Sequence, residues 1–271
     1  MSQDNRTQTW LTALGQPVSG APQLPGSVML SQGSVPGHDK VFFVGVLPDA
    51  NNPFPRARNG EVGLLEGWGL AKAVHWLIEQ DREQTNKTPI VAVVDVPSQA
   101  YGRREEALGI HLALAGAAAA YAQARQQGHP LIALLVGKAM SGGFLAHGYQ
   151  ASQIVALDDE GVMVHAMGTE SAARVTLRTV EQLESLSSRI PPMAYDIDNY
   201  ASLGLLTGGV LQVGSAAQPD STDVERVRTH LSGCIAQAQR DGSSLANRLG
   251  AANRQASAKV RELMREQWLA S

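Results

Sequence analysis

VVDVPSQAYGRREEALGIHLALAGAAAAYAQARQQGHPLIALLVGKAMSGGFLAHG, residues 93–148, decides the fold. It begins inside PIVAVVDVP (89–97), an unbroken run of branched apolar residues that predicts a buried strand. EEALGIHLALAGAAAAYAQARQQG (105–128) predicts a long helix with Gly128 as its stop. HPLIALLVG (129–137) predicts a second apolar strand, and SGGFLAHG (141–148) a short helix opened by glycines. Strands apolar on both faces and joined through helices form a sheet layered with helices, hence an α/β fold. The strand-turn-helix unit recurs, at 90–95 and again at 131–136.

Outward from this core, VFFVGVL (41–47), QIVALDD (153–159) and VMVHAM (162–167) read as further strands. PDANNPFPRARNG (48–60) reads as a long loop, a common home for functional residues. Residues 61–82 carry a helical stripe of Leu70, Val74, Leu77 and Ile78. TESAARV and TVEQLESLSSRI predict helices with threonine caps, which Pro191-Pro192 break. Residues 195–206 read as helical, TGGVLQVG (207–214) as a strand or turn, and 220–242 as a helix capped by Asp220, Ser221 or Thr222. The expected organisation is an N-terminal extension (1–37), a main domain (38–242) and a C-terminal amphipathic helix (243–271). The extension should hold a short helix near Trp10–Leu14 and then irregular chain, punctuated by Pro17, Pro22, Pro25 and Pro36. The terminal helix would place Leu245, Leu249, Ala252, Ala256, Val260 and Leu263 on one face and Arg254, Lys259 and Arg265 on the other. That apolar face has two possible seats, its own domain or a partner.

Composition narrows the function. The 271 residues are 44% hydrophobic and only 17% charged, below the roughly 25% usual for a soluble domain. A surface so poor in charge suits burial against another subunit. The net charge of -3 and the lack of a basic run argue against nucleic acid. Cys234 is the only cysteine, so neither an internal disulfide nor a cysteine metal cluster is expected. The polar start MSQDNRTQTW is unlike a signal peptide. The weakly apolar run at 112–122 is shorter than the about 20 residues a membrane helix needs. The expectation is a soluble, cytoplasmic protein with no membrane or metal.

The strongest chemical candidate is Gly137-Lys138-Ala139-Met140-Ser141-Gly142-Gly143, where a strand gives way to a helix. Paired glycines at a helix start let a ligand oxygen approach the first N–H groups, which lack internal partners and favour negative charge. A tight turn with no ligand would look the same. The segment is no phosphate loop, since Lys138 is not followed by Ser or Thr. Nor is it a nucleophile elbow, whose first position is Gly where this chain has Ala139. Ser141 is therefore a better cap than nucleophile. The second candidate is the strand-end loop 95–106. There Gly102 would let the chain fold over a substrate, and Arg103 or Arg104 would pair a carboxylate or phosphate. Its plain alternative is a helix start with Glu105 and Glu106 in the favoured first turn. His147 and His165 are noted, without ligand spacing for a metal, and Cys234 reads as buried and inert.

Taken together, the Asp95-x-Pro97 strand end, Gly102 ahead of Glu106, the long helix and the Ser141-Gly142-Gly143 turn resemble the carboxyltransferase branch of the crotonase-like enzymes. Within that branch, PDANNPFPRARNGEVGLLEGW (48–68) and VHAMGTES (164–171) are similar to the gamma subunits of biotin-independent malonate decarboxylase. The likeness covers residues 30–210 well and the tail loosely.

The resemblance implies a crotonase-like (ClpP/crotonase) spiral of strand-strand-helix units with a helical C-terminal part. It implies a heterodimer with a beta subunit, working beside an acyl carrier (delta) subunit and an alpha acyl-transferase. The reaction implied is decarboxylation of a malonyl thioester to an acetyl thioester through an enolate, without biotin. The thioester would ride on a phosphoribosyl-dephospho-coenzyme A group attached to the carrier, so no cofactor is bound covalently to this chain. Gly142 and Gly143, with Ser141, match the family's donor position and would hold either the enolate oxygen or the departing carboxylate. Tyr101, His147 and His165 are candidates for handling the proton, and Gly102, Arg103 and Arg104 for holding the thioester's carrier group. The alternatives are a subunit of a biotin-dependent carboxyltransferase and a non-catalytic partner.

Overall fold

The computed structural model describes residues 5–190 and 193–270. The chain opens with α1 (Arg6–Leu14), β1 (Gln16–Pro17), β2 (Val28–Val35) and β3 (His38–Val46). It continues through α2 (Leu64–Gln80), β4 (Ile90–Val96), α3 (Arg103–Ala107), α4 (Ile110–Gln126), β5 (Leu131–Met140) and α5 (Ser141–Ala146). β6 (Gln153–Asp158), β7 (Met163–His165), α6 (Thr169–Thr176), α7 (Val180–Ser187), α8 (Ile197–Ser202), β8 (Gly209–Gln212), α9 (Ser221–Asp241) and α10 (Gln255–Ala270) complete it.

The strands form one sheet in the order β1-β2-β3-β4-β5-β6-β8, with β7 added against β5. β1, β2 and β3 pair antiparallel, and the succession from β3 to β8 is parallel. β4 and β5 are buried almost throughout, as their unbroken apolar sequences require. One helical layer is α2 against α4, and another is α1 with α9. Trp10, Leu11 and Leu14 of α1 are fully buried in the core, and Trp10 Nε1 donates to Ala216 O at 2.8 Å.

Three expectations are corrected. The irregular chain expected after Leu14 is instead strands β1 and β2, whose polar residues Ser31 and Gln32 hide the strand signal. The single helix expected over 105–128 is split into α3 and α4 by Gly109, which takes φ 82°, a left-handed conformation glycine adopts without cost. The helix expected from residue 243 starts only at Gln255, after two 3-10 turns, and none of its residues is buried. Of its predicted stripe, Ala252, Ala256, Val260 and Leu263 are exposed, whereas Leu245 and Leu249, which precede the helix, are half-buried beside Tyr149 and Leu205. Pro191-Pro192 lie outside the described residues. Among the described residues no helix is long and apolar enough to cross a membrane, and no group of three or more His, Cys, Asp or Glu is placed to hold a metal ion.

Candidate active site

Strand β5 builds the site by changing partners along its length. Ile132–Leu135 pair with β6, whereas Lys138–Met140 pair with β7, which sets Met140 beside His165. This carries the Ser141 turn to the end of β7 and away from the middle of the sheet. β4 reaches the same place through a register shift between Val94 and Val96. Asp95, in the irregularity, accepts a hydrogen bond from Lys138 N–H at 2.8 Å. Burial raises the Asp95 pKa, while that hydrogen bond and the charges of Arg6 and Lys138 oppose the rise.

At the turn, Ser141 takes φ 59°, one of two non-glycine residues at positive φ in the described chain. Such a conformation is strained for a side-chain-bearing residue and persists only where its surroundings impose it. The surroundings here are tight. A Cβ on Gly143 would lie 2.5 Å from both Ser98 O and Val96 Cγ1, so that glycine is required by packing against the end of β4. Gly142 meets only a side chain, since its N–H donates to Gln99 Oε1 at 2.9 Å. The backbone on either side of Gln99 is held in place, leaving its side chain to move: Val62 N–H donates to Ser98 O at 3.1 Å and Ala100 N–H to Val62 O at 2.9 Å.

Ser141 and Gly142 line a mostly apolar cavity of about 320 Å³ with Phe144, Leu145, Tyr149 and His165. That is a size suited to a small ligand. Residues from α8 and the chain beside it, Ala194, Tyr200, Leu203 and Leu205, close its other side. Leu145 lines the cavity yet is 52% exposed, so one wall is left open to whatever covers it. His165 stacks on Tyr195 with ring centroids 3.8 Å apart. Its Nδ1 lies 2.9 Å from Met167 O and 3.2 Å from Met167 N. Burial lowers the His165 pKa and the Met167 hydrogen bond partly restores it. Burial raises the Tyr200 pKa.

The predicted residues thus fall into separate places. Ser141, Gly142 and His165 share the cavity, and Gly143 lies buried under the turn. Tyr101, Gly102 and Arg103 line a different, shallower opening with Arg56 and Glu106. The Arg104 guanidinium sits 4.9 Å from the centre of the Phe54 ring. His147 is fully buried, with Nδ1 2.9 Å from Tyr121 Oη and Nε2 3.0 Å from Val93 O, a structural role. Cys234 is buried and free, and burial raises its pKa to about 11, in keeping with an unreactive thiol. Gln99, Tyr149, Tyr195 and Tyr200 had not been singled out. Only Gln99 carried a signal, its position in the loop that ends β4.

The family model of the malonate decarboxylase gamma subunit (MdcE) matches residues 57–268. The chain belongs to that family. The MdcE-family chain is similar to a chain of the Pseudomonas malonate decarboxylase hetero-tetramer solved with coenzyme A, at 59% identity and a TM-score of 0.92, over 97% of this chain and 100% of that one. It is similar to a chain of the Pseudomonas MdcD-MdcE hetero-dimer at 56% identity and a TM-score of 0.89, over 98% and 100%. A curated relative, the malonyl-S-ACP:biotin-protein carboxyltransferase MADD of Malonomonas rubra, is 39% identical over 157 residues, 57% of this chain and 54% of that protein. The match thus spans about half the length of that relative. The spiral of strands and helices with its helical C-terminal region is the crotonase-like fold that the resemblance implied.

Proposed function

We propose that this MdcE-family chain pairs with a beta subunit to decarboxylate a malonyl thioester carried on an acyl carrier (delta) subunit. An alpha subunit then exchanges acetyl for malonate. In the reaction the bond from the α-carbon to the carboxylate breaks and carbon dioxide leaves. The bonding pair passes to the thioester as an enolate, and a proton at the α-carbon gives the acetyl thioester. The barrier falls if the enolate oxygen meets fixed donors in a dry site. One such donor is worth about 3 kcal/mol.

The observation that carries this reading is the contact between Gly142 N–H and Gln99 Oε1 at 2.9 Å, beside an apolar cavity. An amide carbonyl oxygen already occupies the position an enolate oxygen would take, and Gln99 swings aside to admit it. Strain at Ser141 and packing at Gly143 hold the donor in place. His165, in the cavity wall, handles the proton for the nascent carbanion. The half-exposed Leu145, with the exposed Leu108 and Leu112, suits coverage by the beta subunit. The same reading puts the complex in the cytoplasm.

A second reading, transfer of the carboxyl group to biotin, is favoured by one observation, the 39% identity to the biotin-protein carboxyltransferase. The purified complex incubated with malonyl thioester and no biotin separates the two. Acetyl thioester and carbon dioxide are expected. Product formation only when biotin-protein is added would establish transfer instead.

A further inference from the structure

The strand that carries His165 into the cavity, β7, is only three residues long and pairs with β5. Its Val164 N–H donates instead to Tyr195 O at 3.3 Å. Asp196, next in the chain, caps α8 by accepting from Asn199 N–H at 2.8 Å. The backbone at Tyr195 is thus tied to β7 on one side and to a capped helix on the other. From that position the Tyr195 ring lies nearly flat on the His165 ring, with centroids 3.8 Å apart and planes 17° apart.

The phenol hydroxyl adds nothing to this contact. Tyr195 Oη is buried without a hydrogen-bond partner, near the Thr169 side chain and the Glu170 charge of α6. What the residue supplies is its ring face. The face of an aromatic ring carries negative charge density and favours a cation set against it. No charged side chain lines the cavity among the described residues, and Tyr149 and Tyr200 are the other titratable groups there. The imidazole is held at one edge as well, since Nδ1 lies 2.9 Å from Met167 O. An Nδ1–H donated to that carbonyl leaves Nε2 as the ring nitrogen whose proton comes and goes.

We propose that Tyr195 is the positioning residue for His165: its ring fixes the plane of the imidazole, aims Nε2 at the nascent carbanion and favours the charged form that donates. This rests on the proton role proposed for His165. In that step the Nε2–H bond breaks, and its proton joins the enolate's electron pair as the new C–H bond. A neutral ring remains, with Nδ1–H on Met167 O, and solvent returns a proton to Nε2.

The test follows biotin-free release of acetyl thioester by the assembled complex across pH. Tyr195→Leu removes the ring face and should lower kcat at least about tenfold, because a misaligned acid loses much of its worth. Activity needs the protonated ring, so kcat falls as pH rises through the His165 pKa. Without the aromatic face that limb should move down by about half a pH unit. Tyr195→Phe keeps the face and should restore both kcat and the limb. Tyr195→Met carries the same test if leucine disturbs assembly. The double variant Tyr195→Leu/His165→Gln should be no slower than His165→Gln alone, since Tyr195 acts through His165. Wild-type kcat and an unmoved limb in Tyr195→Leu overturn the proposal, as do losses that multiply in the double variant. If His165→Gln is slow while Tyr195→Leu is not, the proton role of His165 stands and the positioning role falls. If His165→Gln turns over like wild type, both fall.

Discussion

Gln99 Oε1 accepts a hydrogen bond from Gly142 N–H at 2.9 Å, and the two residues lie 43 positions apart in the chain. The contact joins the loop after β4 to the turn after β5, the two places where parallel strands of an open sheet present ligands. It also means that the donor at Gly142 is satisfied from within when the cavity is empty.

Removing that internal occupant should favour substrate. Gln99→Ala should lower KM for the malonyl thioester by up to about fivefold, the worth of one neutral hydrogen bond. The change in kcat should be smaller. A kcat loss of two orders of magnitude would show that the Gln99 amide itself contacts the reacting group.

The two glycines should separate when substituted. Gly143→Ala drives a Cβ against Ser98 O and Val96 Cγ1 and should cost about 1–3 kcal/mol, read as a clear fall in Tm. Gly142→Ala meets only the end of the Gln99 side chain, at 3.2 Å, and should leave Tm nearly unchanged. Equal losses of Tm would remove the distinction between a packing glycine and an approach glycine.

His147 predicts an acid limb of stability. Burial lowers its pKa from 6.5 to about 4, with the Val93 hydrogen bond opposing. The folded state therefore favours the neutral imidazole. Its contribution is fully present above pH 6.5 and is lost as pH falls from 6.5 toward 4. The full change is roughly 3 kcal/mol. Urea midpoints of wild type should drop across that window more steeply than those of His147→Gln. Parallel slopes would contradict the buried, neutral assignment.

His165→Gln keeps a polar side chain in the cavity wall but cannot carry a proton. Loss of an acid–base group should lower kcat by about 10²–10⁴-fold with the complex still assembled. Unchanged kcat would move proton handling elsewhere, and Arg103→Ala, in the separate opening, should change kcat little in either case.

Much of this was legible in the chain. β4, α4 and β5 announced themselves because strands buried on both faces must be apolar at every position, and Asp220 and Thr179 capped helices as their sequences foretold. β2 was not legible, because Ser31 and Gln32 interrupt its apolar pattern. The turn was recognisable from Ser141-Gly142-Gly143, but the separate duties of its glycines depend on Gln99, Ser98 and Val96, which are near only after folding. The distance between the Tyr101–Arg103 opening and the Ser141 cavity likewise depends on the path of a loop that sequence pattern does not encode.

The central claim is that the Ser141–Gly142 turn holds the charge that develops during decarboxylation. Gly142→Val places added methyl groups beside Gln99, in the wall of the cavity, where the side chain rather than the backbone must yield. The measurement is biotin-free release of acetyl thioester by the assembled Gly142→Val complex. Valine keeps the backbone N–H but crowds the approach of an oxygen to it, which predicts a fall in kcat of up to about 10²–10³-fold, the worth of one oxyanion donor, with assembly intact. Wild-type turnover by the intact variant complex would contradict the account.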